Sequence, residues 1–191
     1  MFKIHFFLII AILICAAPAH AAASVESAAQ PPDDSNWVIA QSNFFEVYYR
    51  PDANLDNIKH ELERRPLYFD QPARYGEAAV LEEICRRLDN LFNEVKELLD
   101  MYPKIAKVNI KIFRDRMELN KEYFKIFGKN EGYRSFYINK YNTIYTSEAD
   151  ITDSIMSHEM AHVVIDHYFK VIPPEKLAEI LASYVDAHLG D

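Results

Sequence analysis

The residues most able to do chemistry lie in the segment Ser157-His158-Glu159-Met160-Ala161-His162, which contains the pattern His-Glu-x-x-His. On an α-helix, side chains four residues apart share a face with their Cβ atoms roughly 5–6 Å apart, so His158 and His162 can direct two imidazoles at one point. A zinc ion fits such a pair. Glu159 lies about 100° further round the helix, poorly placed to ligate a metal but well placed to act as a general base toward a water on it.

The residues around this motif are apolar on most sides of the helix, which predicts that the helix is buried. They are Ile155, Met156, Met160, Val163, Val164 and Ile165. Buried histidine and glutamate side chains require partners, and a metal ion would satisfy all three. A surface helix that carries two histidines by chance is therefore the less favoured interpretation.

A candidate third ligand lies on the last predicted helix. Glu179 adjoins the small residues Ala182 and Ser183, which would let this helix approach the HExxH helix closely. Without the HExxH motif upstream, Glu179 would be interpreted as an exposed helical glutamate. With the motif, we expect Glu179 to complete the metal site, and Asp166 and Glu175 are the alternative third ligands.

The motif HEMAH, followed after a short break by Glu179-Ile-Leu-Ala-Ser-Tyr184, resembles the gluzincin zinc metallopeptidases. It is most similar to the small peptidase MA-like domains, in which HExxH precedes a Glu-x-x-Ala-x-Tyr helix, and the similarity extends over roughly residues 36–189. The resemblance implies a zincin-like fold, zinc bound by His158, His162 and Glu179, and Glu159 as the catalytic residue. It also implies that the substrate is a peptide or protein.

Two features depart from that family. Ser183 occupies the position at which thermolysin-like enzymes place an aspartate that orients a histidine, so Asp166 or Asp186 would have to supply that bond. Related peptidases also carry a C-terminal subdomain that supplies a donor to the oxyanion, and here another residue would have to do so. The candidates are Tyr133, Tyr137, Tyr141, Tyr145, Tyr184 and His188.

The elements that must position these residues follow from the periodicity of the apolar side chains. Alternation predicts strands over 37–40, 44–50, 107–114, 136–138 and 143–145, the last two as a hairpin. Helical periodicity predicts helices over 55–65, 81–99 and 116–127, then the HExxH helix to about residue 170 and a last helix from 174 to 190. The predicted fold class is α+β: a small mixed sheet with a long amphipathic helix, the HExxH helix and a C-terminal helix that carries the third zinc ligand.

Finer expectations attach to three of the helices. Ser147 and Asp150 are candidate N-caps of the HExxH helix. The long helix has a charged face that includes Asp89, and we interpret that face as its solvated side. The last helix carries one apolar stripe, beside the strip that contains Glu179 and Ala182, and the stripe consists of Leu177, Ile180, Leu181, Tyr184 and Val185.

The N-terminal segment predicts export. Lys3 precedes an apolar run over residues 6–17, and Ala19-His20-Ala21 has the small-x-small pattern of a signal peptidase site. The run is shorter than the ~20 apolar residues of a spanning helix, so no stable membrane anchor is expected after cleavage. We therefore predict a signal peptide over 1–21, a flexible leader over 22–35 and one domain over 36–191, in a periplasmic or extracellular protein.

Composition excludes one class of partner and limits covalent cross-linking. The chain of 191 residues has a formal net charge of −8 and no basic stripe, which argues against nucleic-acid binding. Cleavage would leave Cys85 as the one cysteine, so the domain has no internal disulfide and we expect the thiol to be buried. The sequence does not define an oligomeric state.

Three functions of different classes are compatible with these observations. The first is an exported zinc peptidase that hydrolyses peptide bonds, with Glu159 as the base. The second is a catalytically degenerate zincin-like domain in which the metal has a structural or binding role. The third is a metal-free interaction domain. This function is disfavoured because it does not account for the HExxH spacing of His158, Glu159 and His162.

Overall fold

A five-stranded mixed sheet forms the centre of the structure, a computed structural model that describes residues 36–62 and 76–190. The strands are β1 (Val38–Gln41), β2 (Phe45–Tyr49), β3 (Val108–Phe113), β4 (Ser135–Ile138) and β5 (Thr143–Ser147). They lie in the order β1-β2-β3-β5-β4, with β2, β3 and β5 parallel and with an antiparallel strand at each edge. All five predicted strands are confirmed, and β4 is an edge strand.

The described residues also contain five α-helices, which confirms the coarse α+β class. They are α1 (Leu55–Leu62), α2 (Glu77–Leu99), α3 (Arg116–Phe127), α4 (Asp153–Tyr168) and α5 (Glu175–His188), with a short 3-10 turn at Asn139–Tyr141. Helix α1 was predicted to extend to residue 65, and the end of that range lies outside the described residues. The predicted signal peptide and leader also lie outside them.

Two apolar clusters cover the two faces of the sheet. Successive residues of a strand point to opposite faces, so Ile112 joins a large cluster with α1, α2, α4 and α5 while Phe113 joins a smaller cluster with α3. In β4, likewise, Tyr137 packs against the large cluster and Phe136 belongs to the small one. This alternation places α3 and α4 on opposite sides of the β4 edge.

Helix α2 spans the large cluster and corrects one expectation. Cys85 is buried, as predicted, and burial raises the pKa of its thiol. Asp89, however, is not solvated. Its carboxylate accepts hydrogen bonds from the Ser42 hydroxyl at 2.7 Å and from the backbone N–H groups of Asn43 and Phe44 at 2.9 and 3.2 Å. The residue therefore holds the turn between β1 and β2, because the donors of that turn need an acceptor.

Helix α4 begins later than its predicted caps. The N-cap is Thr152, whose hydroxyl accepts a hydrogen bond from the backbone N–H of Ile155. Ser147 is instead the last residue of β5, and its hydroxyl donates to the buried carboxylate of Asp150 at 2.9 Å. Both predicted N-caps were therefore wrong, because Asp150 is occupied by partners distant in the sequence. The helix ends at Tyr168 rather than near residue 170.

Helix α5 packs against α4 through small side chains, as predicted for Ala182, whereas only part of its apolar stripe is buried. Ala178, Ala182 and Val185 are buried, whereas the larger Leu177, Ile180 and Tyr184 are exposed. Methyl side chains let two helix backbones approach closely, so this face of α5 fits α4 better than the bulky face does. No helix among the residues described here is both long and apolar enough to cross a membrane.

Candidate metal centre

Three ligand-type side chains from α4 and α5 meet at one point. The Nε2 atoms of His158 and His162 are 3.3 Å apart. The Glu179 carboxylate lies 3.5 Å from His158 Nε2 through one oxygen and 3.3 Å from His162 Nε2 through the other. The structure therefore brings together all three predicted ligands, although they are separated by 21 residues along the chain.

These distances fit a tetrahedral zinc site. Zinc binds histidine nitrogen and carboxylate oxygen at about 2.0–2.2 Å, so adjacent ligand atoms of a tetrahedron lie about 3.4 Å apart. The separation of the two histidine nitrogens is close to that value, and each nitrogen lies within 3.5 Å of one of the two Glu179 carboxylate oxygens. The donor set of two imidazoles and one carboxylate is also one that zinc prefers. The three side chains are therefore close enough together to share a single zinc ion.

The electrostatics of the site favour a neutral His162. Burial lowers the pKa of His162 below its usual value, and the charge of Glu179 opposes part of that effect. A neutral imidazole has a free lone pair, which metal binding requires. The Glu179 side chain is 51% exposed, so the site is open to solvent on the α5 side.

Glu159 lies on α4 beside the histidines, against the edge strand β4, and lines the same cleft. It is buried, and burial raises its pKa to about 8, with a further contribution from the negative charge of Glu179. The nearby Ser135 side chain and Tyr137 backbone N–H oppose that shift, while the Ser135 hydroxyl donates its hydrogen bond to the Tyr145 carbonyl at 2.9 Å. A carboxyl group with a pKa near neutrality can both accept and return a proton, which is what a general base in hydrolysis must do.

The start of α4 is fixed by two ion-paired carboxylates. Asp150 is fully buried and receives Arg116 Nε and Nη2 at 2.6 and 2.7 Å and Arg134 Nε at 2.7 Å. Asp153, in the first turn of α4, pairs with Arg87 of α2. Because these contacts join α4 to α2, α3 and the residue before β4, they hold the ligand helix against the sheet.

The two carboxylates proposed to orient a histidine have other partners. Asp166 accepts a hydrogen bond from Asn139 at 2.8 Å, and Asp186 accepts one from the Ser154 hydroxyl. The alternative third ligands, Asp166 and Glu175, line the same cleft. The carboxylate that groups with the two histidines is that of Glu179.

The structure separates the candidate oxyanion donors. Tyr133 and Tyr137 line the cleft that contains Glu159. Tyr145 is buried in the sheet, and the Tyr184 ring stacks on His188 with centroids 4.2 Å apart. Burial raises the pKa of Tyr137, so its phenol stays protonated and remains a donor near neutral pH.

The ligands, Glu159 and the edge of β4 share one cleft of about 590 Å³. One wall consists of α4 and α5 with the ligand side chains, and the other consists of aromatic side chains from α3 and from the start of β4. The sequence did not predict that Ser135 would contact Glu159 or that α3 would line this cleft. No local sequence pattern marks a serine that will lie beside Glu159 or an aromatic residue of α3 that will line the cleft. Both placements depend on the position of β4 in the sheet.

Comparison of the chain with protein-family models, with curated protein sequences and with solved structures gave no match.

Proposed function

We propose that this protein is a zinc-dependent peptidase of the zincin-like, gluzincin type. The observation that carries this proposal is the convergence of His158, His162 and Glu179: the two Nε2 atoms are 3.3 Å apart, and each lies within 3.5 Å of one of the two Glu179 carboxylate oxygens. Zinc bound there would act as a Lewis acid and would lower the pKa of a coordinated water toward neutrality.

The role of Glu159 follows from its position. It is the residue after one proposed histidine ligand, and it faces the same cleft, beside Ser135 and the Tyr137 backbone N–H of β4. This position leaves the carboxylate at the cleft without using it as a ligand. Glu159 is therefore the group that takes a proton from the attacking water and passes a proton to the departing amine.

An extended peptide is the substrate class that the cleft favours. Strand β4 is an edge of the sheet, and a peptide can add to such an edge through backbone hydrogen bonds. Ser135 and Tyr137 of this strand contact Glu159, so a backbone paired with β4 would pass directly beside the base. This arrangement supports hydrolysis of a peptide bond over that of a small isolated ester.

The openness of the site favours catalysis over a purely structural metal. Structural zinc sites are closed by four protein ligands, whereas catalytic sites use three and leave one position for water or substrate. Among residues 36–62 and 76–190, three side chains of ligand type meet here, and Glu179 is half exposed. The predicted signal peptide would place the enzyme in the periplasm or outside the cell, where folded and unfolded proteins are both available as substrates.

The proposal is tested by zinc analysis of the purified protein together with hydrolysis of an unfolded, fluorescently quenched protein substrate. We expect about one zinc ion per chain. Removal of zinc by a chelator should abolish hydrolysis, and zinc added back should restore it. A protein that binds no zinc would contradict the proposal, and a protein that binds zinc but hydrolyses none of a diverse set of unfolded proteins would support a structural or binding role.

A further inference from the structure

The cleft has an aromatic wall that zinc binding and proton transfer do not require. Phe127, the last residue of α3, is 45% exposed, and Tyr133, just before β4, is 42% exposed. Both line the cleft opposite the ligand helices. Two large exposed rings on one wall of a concave site mark a place where an apolar group can be buried.

These two rings rest on a packed aromatic cluster. Tyr123 is buried between them, with its ring centroid 4.5 Å from that of Phe127 and 5.0 Å from that of Tyr133. Phe136 contacts Tyr123 at 5.0 Å and stacks on Tyr145 at 4.8 Å. The exposed rings are thus supported from below, and a ligand that covers them would lose little side-chain entropy.

The geometry of β4 relates this wall to a bound peptide. Phe136 points toward α3 while Tyr137 points toward α4, because neighbouring residues of a strand face opposite sides. A peptide strand added to the free edge of β4 would alternate in the same way. Every second side chain would lie on the α3 side, beside Phe127 and Tyr133.

We propose that Phe127 and Tyr133 form a binding site for one large apolar side chain of the substrate, and so set a sequence preference close to the scissile bond. This rests on the proposed peptidase function. The acidic residues Asp166 and Glu175 of the cleft lie on the opposite wall, on α4 and α5. Beside the two rings, Lys129 and Glu131 pair with each other and Tyr133 donates a hydrogen bond to Glu131 at 2.6 Å, so no unpaired charge among the described residues there favours a charged side chain. The ligand class is therefore phenylalanine, leucine or a side chain of similar size.

The experiment measures peptide binding rather than hydrolysis, so that it is independent of turnover. The full chain carrying Glu159→Gln is prepared with added zinc, and fluorescence anisotropy follows its binding of labelled alanine-rich nonapeptides in which one phenylalanine is moved through successive positions. We expect one position to tighten binding at least about tenfold relative to alanine. Phe127→Ala in the same background should remove that gain.

The matched control is Phe124→Ala, on the same helix. Phe124 is 56% exposed but does not line the cleft, so its loss should leave the position dependence intact. Tyr133→Ala removes the other exposed ring. It gives an independent measurement of the position dependence if thermal unfolding shows that Phe127→Ala does not fold.

The proposal is overturned if phenylalanine has no preferred position, or if Phe124→Ala weakens the preference as much as Phe127→Ala. If the preference depends on Phe127 and the wild type hydrolyses nothing, the aromatic site stands and the peptidase proposal falls.

Discussion

Asp150 is the residue on which the arrangement of the site most depends, apart from the ligands. Its buried carboxylate binds Arg116 at the start of α3, Arg134 before β4 and the Ser147 hydroxyl at the end of β5. It lies two residues before the N-cap of α4. One side chain thus joins the elements that carry the aromatic wall, the edge strand and the histidine ligands.

Asp150→Asn should destabilise the fold. The substitution leaves two arginines without their anion, and breaking a buried ion pair costs about 3 kcal/mol, at the low end of the usual range because both arginines reach solvent. Urea denaturation measures the free energy of unfolding. Asp52→Asn is the matched control, since its pair with Arg114 is exposed and should contribute little. Equal effects of the two substitutions would contradict the role given to Asp150.

The same residue predicts a dependence of stability on pH. Burial alone would raise the pKa of Asp150, but hydrogen bonds from Arg116, Arg134 and Ser147 outweigh it and hold the pKa at about 2, below the ordinary 3.8. Because the folded-state pKa is depressed, Asp150 stabilises the fold above about pH 4 and this contribution is lost as the pH falls toward 2. The stability difference between wild type and Asp150→Asn should therefore shrink across this window. A constant difference would rule out this linkage.

At the residue scale, the sequence predicted which side chains meet at the candidate metal site but not which residues support them. His158, Glu159 and His162 were predictable because the helical repeat alone brings residues four apart together. Asp150 was interpreted as a local cap, and its actual partners lie 16 and 34 residues away. Such contacts are set by the order of strands in the sheet, which no local pattern encodes.

At the scale of elements, periodicity predicted where helices and strands lie, and the small residue Ala182 predicted the close approach of α5 to α4. The bulky stripe that contains Leu177 and Ile180 has the stronger hydrophobic signal, yet α5 buries Ala178 and Ala182. The reason is steric, because small side chains allow close approach to α4. That approach is also what brings Glu179 within 3.5 Å of both histidines.

Ala182→Leu tests this dependence of the metal site on helix packing. Ala182 is fully buried, so three added carbons must push α5 from α4 or strain their contact, at a cost of about 1–3 kcal/mol. Zinc affinity should fall with it, because Glu179 would move away from His158 and His162. Ser183→Leu, at the exposed neighbouring position, should change neither property. Zinc titration with a competing chelator and thermal unfolding measure the two effects, and unchanged zinc affinity in Ala182→Leu would refute the packing argument.

At the scale of the whole molecule, one cleft collects contributions from both faces of the sheet. Helices α4 and α5 supply the ligands, β4 supplies an edge beside Glu159, and α3 supplies the aromatic wall. A zinc ion bound by His158, His162 and Glu179 would also tie α4 to α5. Binding to the folded state alone stabilises that state, so zinc and fold stability are expected to be coupled.

The most direct test of the central claim compares Glu159→Gln with Glu179→Ala for zinc content, melting temperature and hydrolysis of an unfolded protein. Glu159→Gln removes the base but no ligand, so zinc content and melting temperature should remain close to those of the wild type while hydrolysis falls by about 10²–10⁴-fold. Glu179→Ala removes a ligand and should lose zinc, thermal stability and hydrolysis together. The claim would be contradicted if Glu179→Ala kept its zinc, or if Glu159→Gln hydrolysed the substrate as fast as the wild type.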